Sequence, residues 1–140
     1  MNHYKKIVVA IDINTSDEIV LNKAISLAHN PKYLHLVHVT LSRTYFEPYG
    51  VSFIGEFVSD SRQKAEQRLQ KIAKQHSIPA EQIHSVIGKP ADKIHDIAEN
   101  IAADLIVIGT HGPRGIKLLL GSTANGVLHG AKCDVLAVKV

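Results

Sequence analysis

The sequence predicts an α/β fold: a parallel β-sheet with helices on both faces. Three observations carry that prediction. Short β-branched apolar runs alternate with segments of helical period along the whole chain. The runs are almost continuously apolar rather than alternating, as in strands buried on both faces. A glycine-rich stretch, GTHGPRGIKLLLGST at 109–123, follows the fourth run and precedes the last helix. Open α/β sheets take ligands at such a place, beyond the carboxyl ends of strands.

Lys6–Asp12 (KIVVAID) reads as the first strand. Asn14, Thr15, Ser16 and Asp17 supply helix caps. Val20, Ala24, Leu27 and Ala28 then mark one face of a helix, which Asn30-Pro31 ends. Tyr33–Thr40 (YLHLVHVT) is the second strand. Residues 41–57 show no clear period and carry Pro48, Gly50 and Gly55, so they read as a long connection. Tyr45, Phe46, Tyr49, Phe53 and Phe57 gather there. They read as a flap packed on the sheet or the next helix, with a lid or contact surface as the alternative. From Val58 to His76 a charged helix turns Ala65, Leu69, Ile72, Ala73 and His76 to one face, and Pro79 follows its end. Ile83–Gly88 is the third strand. Ile94, Ile97, Ala98 and Ile101 mark the next helix, and Leu105–Gly109 (LIVIG) is the fourth strand. Ala124, Val127, Leu128 and Ala131 give a short last helix, and Asp134–Val140 a fifth strand.

A chain of 140 residues suits one domain, spanning 1–140. The net charge of +3 is modest and its cations are scattered, so no nucleic-acid partner is expected, although a local anion site is compatible with it. One cysteine allows no internal disulfide. No leader and no apolar run of membrane length are recognised, so the expectation is a cytoplasmic protein without a membrane partner.

The glycine segment can do chemistry. Glycines let backbone N–H groups approach an anion. Gly121-Ser122-Thr123 falls at the start of the last helix, where free N–H groups and the helix dipole favour phosphate. Arg114 and Lys117 lie between and add charge. The spacing is neither G-x-x-x-x-G-K-[ST] nor G-x-G-x-x-G. The plainer alternative is a tight turn with a Ser/Thr helix cap. Other chemistry is thin. His35 and His38 lie three apart in one strand and point to opposite faces, while His29, His76 and His129 sit near helix ends. No metal-ligand spacing is found, so no histidine metal site is expected, and Cys133 reads as a packed thiol. No catalytic residue is assigned.

Several stretches resemble the universal stress protein family: KKIVVAID at the start, LHLVHV, DLIVIGTHG, and LLGSTANGVLHGAKCDVLAVKV at the end. The nucleotide-binding branch carries Gly, two residues, Gly, about nine residues, then Gly-Ser or Gly-Thr. Gly109, Gly112 and Gly121-Ser122 fit with one departure: eight residues separate Gly112 from Gly121. Gly115 adds freedom that could absorb the difference. A second branch lacks these glycines and does not bind ATP.

The resemblance implies a five-stranded sheet of order 3-2-1-4-5, an adenine nucleotide alpha hydrolase-like fold. It implies an ATP-binding stress-response or regulatory module with at most slow hydrolysis. An ATP-using hydrolase or transferase, and a dimeric stress protein without nucleotide, are the alternatives. By the resemblance Ala10, Ile11 and Asp12 touch the nucleoside, and Val39 lines the adenine pocket. Ile108, Gly109, His111 and Gly112 flank ribose and phosphates. Gly121, Ser122 and Thr123 hold the phosphates, with Arg114 close by. Asp12 could take a ribose hydroxyl or a phosphate-bound Mg²⁺; the alternative is a cap to the following loop. The last strand lies at the sheet edge in that order, where an apolar strand invites pairing, and family members commonly dimerise through it.

Overall fold

In the computed structural model the described residues are 4–12, 17–41, 51–110 and 121–140, with backbone alone at 17 and 51–57. Nine strands and α-helices follow one another among them: β1 (Ile7–Ala10), α1 (Asp17–Leu27), β2 (Leu34–Leu41), α2 (Val51–Gln75), β3 (Ile83–Gly88), α3 (Pro90–Asn100), β4 (Leu105–Gly109), α4 (Ser122–Gly130) and β5 (Asp134–Val138). The five strands form one sheet in the order β3-β2-β1-β4-β5. Every pairing is parallel.

The apolar runs decide this arrangement. Ile7, Val8 and Val9 are completely buried because β1 is central and helices cover both of its faces. Ile7 and Val9 join Leu34, Leu36, Leu105 and Val107 in one core, closed by Val20, Leu21 and Ala24 of α1 and Leu69, Ile72 and Ala73 of α2. Val8, Val37, Ile106 and Ile108 face the other way, onto Ile94, Ile97 and Ala98 of α3 and Ala124 and Val127 of α4. Successive strand residues therefore serve opposite layers, and each helical stripe meets one of them.

Boundaries differ from the sequence reading in places. Helix α2 begins at Val51, seven residues before the expected Val58, so much of the supposed 41–57 connection is helical. Val51, Ile54 and Val58 do recur at helical spacing, and an internal glycine such as Gly55 costs only about 1 kcal/mol. The remainder of that connection, with Tyr45, Phe46 and Tyr49, lies outside the described residues, as do Asn14, Thr15 and Ser16. Strand β1 is shorter than Lys6–Asp12, and β5 stops at Val138. In α4, Leu128 is exposed rather than inward, because Ala124 and Val127 already occupy the buried stripe.

Candidate functional site

The carboxyl ends of the central strands converge. Val9 pairs with Val107, so Ala10 stands level with Ile108 and Ile11 with Gly109. Ala10 pairs with Val37, and the Ile11 N–H donates to the Val37 carbonyl at 2.8 Å. Asp12, half-buried just beyond β1, thus comes level with Val39 on β2. Ile108 is buried, and Ala10 and Val39 are half-buried against the same core as α3 and α4. Strands β1 and β4 are neighbours from which the chain winds outward in opposite directions, so this is the topological switch point.

Helix α4 is brought to this edge by one residue. The Thr110 carbonyl accepts the Gly121 N–H at 2.7 Å, and the Asn125 N–H returns to the Gly121 carbonyl at 2.9 Å, closing the first turn. Gly121 occupies the helix-capping position with extended backbone and offers no side-chain cap. The first N–H groups of α4, on Ser122 and Thr123, have no earlier helical carbonyl to bond. Ser122 is exposed and Thr123 half-buried. Sequence reasoning gave Thr110 no role, yet its N–H also donates to the Val138 carbonyl at 2.9 Å. Its hydroxyl accepts the Val140 N–H at 3.4 Å. A hydroxyl directly after a strand that ends in glycine is the only signal that could have found it.

Of the predicted residues, Ala10, Ile11, Asp12, Val39, Ile108, Gly109, Gly121, Ser122 and Thr123 meet at this edge. His111, Gly112 and Arg114 lie outside the described residues, along with Gly115 and Lys117. Gly109 has a packing reason to be glycine. A Cβ there would stand 3.3 Å from Val20 Cγ2 and 3.4 Å from Val140 Cγ2, on the α1 side of the sheet. Gly126 and Gly130, not singled out from sequence, let α4 approach α3: a Cβ on Gly126 would lie 2.8 Å from the Ala91 Cβ, and one on Gly130 would strike the His95 ring. That ring donates its Nε2–H to the Val127 carbonyl at 2.9 Å.

Among the described residues the polar groups near the site are few. Burial holds the His38 imidazole below its ordinary pKa, and the Asp12 carboxylate partly opposes the shift. His38 Nδ1 and Thr40 Oγ1 are buried without a hydrogen-bond partner. Among the described residues no group of three or more His, Cys, Asp or Glu could hold a metal. Burial pushes the Cys133 thiol up, with Asp134 and Asp104 adding to it, so the group stays protonated and packed. A separate cleft of about 220 Å³, lined in part by His95, Glu99, Lys132 and Cys133, opens toward the amino end of β4 and contains none of the predicted residues. No helix among the described residues is long and apolar enough to cross a membrane.

Comparison with known proteins agrees with this fold. The universal stress protein family profile matches residues 3–139. Universal stress protein A homolog 2 of Coxiella burnetii is 42% identical over 144 residues, covering 100% of this chain and 98% of the relative. The solved structure of hypothetical protein MJ0577, reported as a structure-based assignment of biochemical function, superposes with a TM-score of 0.84 at 27% identity, covering 99% of this chain and 98% of that one. A universal stress protein solved in complex with cAMP shares the fold, with a TM-score of 0.67 at 24% identity and 98% of each chain covered. By sequence along nearly its full length and by strand order, the chain belongs to the universal stress protein family.

Proposed function

We propose that the protein is a nucleotide-binding regulatory module that takes ATP at the carboxyl edge of the sheet. The observation that carries this reading is the Gly121–Thr110 hydrogen bond. It fixes the N-terminus of α4, free of any side-chain cap, beside the ends of β1 and β4. Backbone N–H groups and the helix dipole there suit phosphate oxygens, with the Ser122 and Thr123 hydroxyls as further donors. Ala10, Ile11 and Asp12 would meet the nucleoside, Val39 would wall the adenine, and Ile108 and Gly109 would floor the ribose. His111, Gly112 and Arg114 complete the phosphate loop in this proposal. Asp12 would take a ribose hydroxyl or help hold Mg²⁺ on the phosphates. The cAMP complex of a protein with the same fold supports an adenine nucleotide as the ligand class.

The sequence offers no identifiable general base to accompany the phosphate loop, so hydrolysis is slow in this reading. A homodimer through β5 and a cytoplasmic location belong to the same proposal. Calorimetric titration of ATP into the wild type and into Gly121→Val tests the site. The expected result is binding by the wild type with at least tenfold weakening in the variant, and turnover below about 1 per second. Equal affinity in both proteins would reject the assignment.

A further inference from the structure

A histidine pair lies away from this site, where β2 begins. His35 on β2 and His84 on β3 share one face of the sheet, since His84 pairs with Val37, two residues along from His35. Their rings are inclined by 22° with centroids 5.6 Å apart. His35 Nδ1 and His84 Nε2 face each other at 3.3 Å. Both side chains are half-buried and hold no other described hydrogen bond, so one edge of the pair meets solvent.

That separation is long for a nitrogen–nitrogen hydrogen bond, for which about 3 Å is usual. It matches the bite of a chelate. Two imidazole nitrogens at 2.0–2.1 Å from one Zn²⁺, at a tetrahedral angle, lie roughly 3.3–3.4 Å apart. The geometry points to a two-histidine site for a divalent transition ion of the zinc type, with water in the remaining positions. Imidazole prefers such ions to Mg²⁺ or Ca²⁺. Both ligands stand on adjacent paired strands, so little ordering is needed to bring them together. Burial keeps both rings below their ordinary pKa, so each stays neutral near neutrality and can present one lone-pair nitrogen to the ion, with its N–H on the other ring nitrogen. Lys6, whose charge acts on His35, is exposed, and solvent screens its repulsion of the ion. Binding would clamp the edge strand β3 to β2.

Zinc chloride, added to the full-length protein during thermal unfolding and in calorimetry, provides the test. The expected outcome is a melting temperature raised by several degrees in the wild type, a one-to-one stoichiometry and no response to Mg²⁺. His84→Phe and His35→Phe keep the bulk of the rings but remove the nitrogens, and each should weaken zinc binding at least tenfold. If a Phe variant does not fold, the corresponding Gln variant is measured in its place. The chain has nine histidines, so an equal zinc shift in both variants would place the ion elsewhere and overturn the proposal. So would a wild type that ignores zinc, which would leave the pair as a hydrogen bond only.

Discussion

Gly109 and His38 show how single residues near the site divide between packing and chemistry. The family resemblance sets Gly109 beside the ribose and phosphates, and packing gives it a second reason to be glycine, since Val20 and Val140 fill the space a side chain would need. A substitution there disturbs the core as well as the proposed nucleotide site, which is why Gly121 is the cleaner probe. His38 carries a pH consequence. Its folded-state pKa is depressed by burial, so the unfolded chain takes up the proton more readily. Its contribution to stability is complete above the ordinary value of 6.5 and is lost as pH falls from there through the folded pKa. Urea unfolding at pH 7 and pH 5 should show a loss of stability in the wild type. His38→Leu removes the titrating group and the orphaned Nδ1 together, and should make that loss smaller. An unchanged pH dependence would assign it to other groups.

At the scale of elements, the packing of α3 on α4 rests on two small residues. Gly126 faces Ala91, and Gly130 faces the His95 ring. Gly126→Ala gains helix propensity but forces two Cβ atoms into overlap, and overpacking of this kind costs about 1–3 kcal/mol. We expect net destabilisation by denaturant titration. Ala91→Gly, itself unfavourable for a helix, should recover part of it in the double variant, and a cycle without coupling would contradict the contact. Much of this level was legible in the sequence. The apolar runs marked all five strands, and Val20, Ala24, Leu69, Ile72, Ile94 and Ala98 are buried as their spacing required. What escaped has a common cause. His35 and His84 become neighbours only through the register of β2 on β3, and 49 positions of sequence separate them. Thr110 likewise matters through what it reaches in space. The early turns of α2 were hidden by Gly55 and the aromatic residues, which read locally as a break.

For the whole molecule, the exposed flank of β5 is the feature with the widest reach. The Val138 carbonyl faces β4, where it accepts from Thr110. Strand alternation therefore points the N–H and C=O of Val135 and Ala137 outward, away from the sheet. Proline is tolerated on an edge strand where its missing N–H faces outward. Ala137→Pro should leave the fold intact while removing a donor from the proposed pairing of two copies. Sedimentation should show the wild type as a dimer and the variant shifted toward monomer. A wild type that stays monomeric at high concentration would end the dimer proposal.

Thr110 ties these scales together. Its carbonyl holds the first turn of α4, while its N–H and hydroxyl hold the end of β5. The segment proposed to receive phosphate and the strand proposed to meet a second copy thus both bond to one residue. In the proposed function, a displacement of α4 on nucleotide loading would be shared with the edge, and thermodynamic reciprocity would then apply. If ATP tightens self-association by some factor, self-association tightens ATP by the same factor. Sedimentation at graded ATP concentrations and ATP titration at graded protein concentrations should return matching factors, and Thr110→Val, which keeps both backbone bonds but loses the hydroxyl, should reduce them together.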